Sequence, residues 1–144
     1  MSIVMRRSIW FSRFVLGAAT LLLTGISIKY MTDPVGAVAP QGIVLNTPEA
    51  VTIIRVSGGV FLGIALTLAG CLISEARLLA GLVVLATIAT AILTLRLVGL
   101  VVDGPGPFTL FVLKPEVALE TLALLAFLVE RRRHALSHPL PEAA

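Results

Sequence analysis

Six ionisable side chains sit inside or at the edge of otherwise apolar runs: Arg55, Arg96, Asp103, Lys114, Glu116 and Glu120. A charge held in hydrocarbon costs about 2.5–3.5 kcal/mol or more, so such groups face a protein interior or water and find partners. Two chemistries are open to this set. Carboxylates at Glu116 and Glu120, one helical turn apart on one face, can exchange a proton or a cation, while Arg55 or Arg96 holds an anion. Alternatively, bases and acids pair between helices and fix helix order, because an unpaired buried charge is costly. Lys114 has a third option, extending its chain to the headgroups.

Other reactive residues are sparse. Cys71 is the single cysteine and lies in an apolar run, where a thiol is inert and no disulfide or cysteine-based metal site can form within the chain. His134 and His138 have the spacing of paired metal ligands, but Pro139 follows at once with no third ligand near, so a solvated tail is the expectation. No phosphate-cradling Gly-Lys-Ser/Thr, nucleophile elbow or Cys/His cluster is present. The expectation is therefore a non-enzymatic chain with no cofactor and no metal.

The elements that position these residues follow from hydropathy. Hydrophobic residues make up 58% and charged residues 13% of the chain, with a mean hydropathy of +1.04. Soluble domains carry roughly 25% charged residues, so this chain lacks the polar surface to dissolve in water. Its 144 residues suffice for four spans of about 20 residues with short connections. The apolar runs place helices at about 9–28, 50–73, 78–102 and 108–129. They form one membrane domain over 14–129, between a basic N-terminus at 1–13 and a tail at 130–144.

The breaks carry their own signatures. Asp33-Pro34, Pro40-Gln41-Gly42 and Asn46-Thr47-Pro48 mark the longest loop. Thr47, Pro48 and Glu49 read as cap, first position and first-turn acid of the second helix. Within that helix Gly58, Gly59 and Gly63 are read as packing positions, since Gly59-x-x-x-Gly63 lets two membrane helices approach closely. Thr87, Thr90 and Thr94 are expected to bond backbone carbonyls or neighbouring helices. Asp103-Gly104-Pro105-Gly106-Pro107 ends the third helix, and the fourth is expected to run unbroken, with a kink, through Pro115. The first helix is expected to be uncleaved, because the one small-x-small site nearby, Ala37-Val38-Ala39, lies beyond the apolar run and precedes Pro40. Trp10 and Tyr30 would anchor its two ends at the interfaces.

Sidedness comes from the bases. Arg6, Arg7, Arg13, Arg77 and Arg131 to Arg133 flank one side of a four-helix topology, against Lys29 alone opposite. The positive-inside rule puts both termini in the cytoplasm and the chain in the cell inner (plasma) membrane. The net charge of +3 is thus an orientation signal, and no nucleic-acid partner is expected. Counted back from Val102 and on from Leu110, Arg96 and Glu116 then lie at matching depth, about 9 Å each, and can meet. Arg55, Arg96 and Lys114 oppose Asp103, Glu116 and Glu120 in the outer half, as interhelical clamps or as the floor of a polar pocket.

These residues carry a resemblance over about Phe14 to Val129. An Arg with small residues opens the second helix, here Arg55-Val56-Ser57-Gly58-Gly59. An Arg, small residues including Gly99, and a Gly-Pro close the third, here Arg96-Leu97-Val98-Gly99 and Asp103-Gly104-Pro105. A Glu follows in the fourth, here Glu116. In order and spacing the chain resembles the bacterial four-helix membrane proteins designated domain of unknown function 4345, with Lys114-Pro115 before the Glu as a departure. The resemblance implies an all-α integral membrane bundle and these site positions. The expected role is an accessory or interaction protein, embedded in the lipid bilayer as a homo-oligomer or with a partner membrane protein. A small proton- or cation-coupled transporter or ligand-binding membrane protein is the alternative.

Overall fold

The computed structural model describes residues 3–137. Every regular element in it is helical: α1 (Ile3–Thr32), α2 (Pro34–Val38), α3 (Pro48–Leu72), α4 (Leu78–Val102) and α5 (Pro107–Ser137), with 3-10 turns at Ala39–Gln41 and Glu75–Arg77. Three segments are long and apolar enough to cross a membrane, Arg6–Thr32, Pro48–Leu72 and Glu75–Val102. The chain is accordingly a membrane protein by the character of its helices. The helix α5 is long enough as well, with 31 residues spanning about 46 Å. Its apolar part holds Lys114, Glu116 and Glu120, which makes it the most charged of the long helices.

Local chemistry explains the boundaries. Asp33 caps α2 by accepting from the Gly36 amide at 2.9 Å, with Pro34 at the first position. Thr47 caps α3 by accepting from the Ala50 amide at 3.2 Å, ahead of Pro48 and Glu49. Such caps satisfy donors that have no partner inside the helix. The αL turn at Gly42 (φ 74°) and the break at Gly104 (φ 88°) need the glycine backbone. Pro115 lies inside α5 without ending it. The helix α1 extends beyond its apolar run at both ends, and α5 carries Arg131 to Arg133 and His134 as helix, not as tail. Of the His134 and His138 pair, His138 falls outside the described residues.

The long helices form two antiparallel hairpins. The first pairs α1 with α3 across the 33–47 connection, the second pairs α4 with α5 across Asp103–Gly106, and α1 packs on α5 to join them. One end of the bundle, the loop end, therefore carries the α1–α3 and α4–α5 connections. The terminal end carries the start of α1, the Glu75–Arg77 turn and the end of α5.

Packing differs between the ends. Leu16, Leu68, Leu78, Leu82, Ala123 and Ala126 are completely buried and close the terminal half. Gly81 lets α3 and α4 approach there, since a Cβ on it would lie 2.7 Å from Cys71 Cβ and 3.2 Å from Leu16 Cδ1. Towards the loop end the hairpins stand apart and leave a cavity between them.

Candidate functional site

That cavity has a volume of about 980 Å3 and draws wall residues from all the long helices and from the 33–47 connection. Its floor is apolar, with Ala19, Leu23, Leu85, Ile88 and Leu119. Its rim is polar: Lys29 and Tyr30 from the last turn of α1, Gln41 from the connection, and Thr109 from the first turn of α5. Pockets that hold small molecules run to about 300–1,000 Å3, with apolar walls and a few placed polar groups, and this one matches that description at the large end.

Arg96 of α4 and Glu116 of α5 stand in the wall. They pair fork to fork, Nη2 donating to Oε1 at 2.6 Å and Nε to Oε2. Their side chains are about a quarter exposed (26% and 25%), so the pair borders the cavity without being sealed from it. Parallel bonds of this kind fix geometry and are the stronger class of ion pair. Arg96 lies six residues before the end of α4, as the sequence places it, whereas Glu116 lies nine residues into α5, because that helix starts at Pro107. The short Asp103–Gly106 connection sets the two helices side by side, and their rotation brings the two side chains together.

One turn below, Glu120 is buried, with 7% of its surface exposed. Its Oε1 accepts from Thr90 Oγ1 at 2.6 Å, while Oε2 is buried without a hydrogen-bond partner among the described residues. Thr90 also lines a second groove of about 440 Å3 between α4 and α5, beside Thr87, Leu124 and Phe127.

The remaining members of the expected network are not assembled. Arg55, Asp103 and Lys114 are exposed and make no ion pair among the described residues. Arg55 is on the outward side of α3, because that helix buries Gly58, Ala65 and Leu68 instead. Asp103 is the exposed C-cap of α4, its amide donating to the Gly99 carbonyl at 2.7 Å. The balanced set of three bases and three acids thus reduces to one pair and one neighbouring carboxyl.

The glycines also divide differently. Gly58 is the close approach: a Cβ there would lie 2.9 Å from Met31 Cγ and 3.0 Å from Tyr30 Cβ, and Ser27 Oγ donates to the Gly58 carbonyl at 2.8 Å. Gly59 and Gly63 have nothing within 4 Å of a would-be Cβ, and Gly99 meets only its own Asp103 carboxylate at 3.6 Å. Packing inside the chain therefore uses Gly58 and Gly81, and leaves the Gly59–Gly63 face open.

Three features had weaker signals in the sequence. Tyr30 turns inward, its ring edge-on to Phe61 at 5.7 Å and its hydroxyl accepting from Gln41 Nε2 at 3.3 Å. The sequence marked Tyr30 as an interface anchor at the end of the first helix, with nothing to pair it with Phe61 or Gln41. At the terminal end Glu130 is completely buried. It accepts from Ser12 Oγ at 3.1 Å and from Arg133 Nε at 2.8 Å, and Arg133 reaches the Glu75 carbonyl at 3.3 Å. The i, i+3 spacing of Glu130 and Arg133 was legible, but not the burial, because the flanking arginines read as solvated anchors. The third is Gly81, an isolated glycine in an apolar run with no spacing motif.

A family model described as a domain of unknown function (DUF4345) matches residues 11–127. Those residues hold the whole cavity wall, Arg96, Glu116 and Glu120, but not Glu130 or Arg133. No curated protein and no solved structure matches the chain.

Proposed function

The chain belongs to the DUF4345 family, and from that premise we propose a non-enzymatic, multi-pass protein of the cell inner membrane that holds a small amphiphile between its two helical hairpins. Four helices span the bilayer in this reading, α5 included, because its three charged residues have somewhere to go. Glu116 is neutralised by Arg96, Glu120 bonds Thr90, and Lys114 lies far enough towards the helix start to reach the headgroups. Both termini face the cytoplasm, with the arginines of the terminal end on the inner side.

The observation that carries the reading is the cavity of about 980 Å3 with an ion pair in its wall and a polar rim. An apolar void of that size, unfilled, would forfeit the dispersion contacts of its whole lining, so a bound molecule is favoured. Binding rather than turnover is the expected role, because Arg96 and Glu116 within the wall are committed to each other and only Lys29, at the rim, is unpaired among the described residues.

Thermal unfolding in detergent tests this. Adding back a membrane lipid extract should raise the Tm of the wild-type protein, since a ligand at about a hundred times its Kd adds about 2.7 kcal/mol. Ala89→Phe, which fills the cavity from α4, should abolish the response. An equal rise in the filled variant would contradict the proposal.

A second reading, an accessory role with another membrane protein or a second copy, is favoured by the open Gly59–Gly63 face. Small residues on an unoccupied helix face are where membrane helices pack closely.

A further inference from the structure

Resting on the reading of the cavity as a ligand site, we propose that its occupant is a membrane lipid with an anionic headgroup, bound with the headgroup at Lys29 and the chain on the apolar floor. The argument starts from charge. The titratable groups lining the cavity are Lys29, Tyr30, Arg96 and Glu116. Arg96 and Glu116 cancel, bonded through two parallel contacts. Lys29 has no hydrogen bond or ion pair from its side chain among the described residues, so the wall carries one uncompensated positive charge, at the rim.

The nearest acid in sequence forms no ion pair with it among the described residues. Asp33 follows Lys29 by one turn, but its carboxylate caps α2 through the Gly36 amide and is not part of the wall. Beside Lys29, the Tyr30 hydroxyl and the Gln41 amide supply hydrogen-bonding groups already turned towards each other at 3.3 Å. Arg96 Nη1 takes no partner among the described residues and adds donors part-way down the wall. A cationic or neutral molecule would leave Lys29 unmatched, whereas a phosphate or carboxylate headgroup pairs with it and accepts from its neighbours.

Depth then selects a lipid over a free anion. Lys29 marks the rim and Ala19 the floor on the same helix, and that stretch of helix measures about 15 Å. This is half of a hydrocarbon core about 30 Å thick, the depth of one leaflet. Below the rim the wall is Leu22, Leu23, Ile26, Ile64, Leu85 and Ile92, surface that an acyl or isoprenoid chain covers and inorganic phosphate does not.

The test uses the full chain in vesicles, with Trp10→Phe removing the native tryptophan. Phe61→Trp reports from the cavity wall, and Val60→Trp from the adjacent exposed position on α3. Brominated phosphatidylglycerol or brominated phosphatidylcholine is added as a minority component, and quenching of each reporter is titrated. The proposal expects the Phe61→Trp reporter to be quenched at lower phosphatidylglycerol fraction than the Val60→Trp reporter. It also expects a preference of about fivefold for phosphatidylglycerol over phosphatidylcholine, the size set by one exposed ion pair. Lys29→Gln should erase the preference and Lys29→Arg should keep it. Inorganic phosphate should not displace the lipid. Equal quenching of the cavity reporter by both lipids would overturn the anionic assignment while leaving a lipid site. Equal quenching of both reporters by either lipid would overturn the cavity reading itself. A preference that survives Lys29→Gln would remove Lys29 from the site. Phe108→Trp, at the rim, provides a second cavity reporter should Phe61→Trp disturb the Tyr30 contact.

Discussion

Arg96 and Glu116 are the residues at which helix order and the cavity meet. Removing one partner strands the other charge in a poorly solvated wall. Arg96→Ala or Glu116→Ala should destabilise the detergent-solubilised protein by about 1.5–3 kcal/mol, the range for hydrogen bonds to charged groups. Partial exposure keeps the cost below that of a fully buried pair. Replacing both, Arg96→Met with Glu116→Leu, should recover much of the loss, because no stranded charge remains. Additive losses in that cycle would show that the two side chains do not interact. Glu130 is the deeper case, completely buried with bonds from Ser12 and Arg133. Glu130→Ala should cost more than either single change at the cavity, about 3–5 kcal/mol, read from the same thermal melts.

At the scale of elements, the spans of α3 and α4 and the start of α5 were legible from hydropathy and from the Thr47 cap and the Asp103–Pro107 break, but the end of α5 was not, because its charged last turns read as a tail. The Arg96–Glu116 pair was legible too, because opposite charges in two apolar helices joined by a short connection each need a partner and lie within reach of one another. The position of Arg55 was not, since only the rotation of α3 about its axis decides whether that side chain looks in or out. The same rotation governs the glycines. Gly58 and Gly59 are adjacent and therefore about 100° apart on the helix, so one meets α1 and the other does not. The spacing motif picked out Gly59 and Gly63 without saying which partner they face. Gly58→Leu should accordingly lower stable accumulation, by an overpacking cost of about 1–3 kcal/mol. Gly59→Leu and Gly63→Leu should leave the fold intact and, where a second chain packs there, reduce oligomer or complex recovery on size exclusion. A loss of monomer stability at Gly59 equal to that at Gly58 would contradict the orientation of α3.

For the whole molecule, the two ends differ in kind. The terminal end is filled with leucine and alanine and locked by the Glu130 cluster, and the loop end holds the cavity. The gathering of Arg55, Arg96, Lys114, Glu116 and Glu120 in the loop-end half is visible in the sequence, but the cavity itself is not, because it is a property of how hairpins diverge. Orientation in the membrane joins the two ends to their surroundings. In a Cys71→Ser background, Asn46→Cys should label from outside intact cells with an impermeant thiol reagent, and Ala135→Cys only after permeabilisation. The reverse pattern would place the cavity on the cytoplasmic side.

The central claim, that the space between the hairpins is a binding site, is tested most directly by native mass spectrometry of the full chain released gently from membranes. The wild-type protein should appear with one lipid-sized mass retained per chain, and Ala89→Phe should appear without it while melting at least as high. A wild-type protein that carries no retained mass, or a filled variant that carries the same mass as the wild type, would contradict the account.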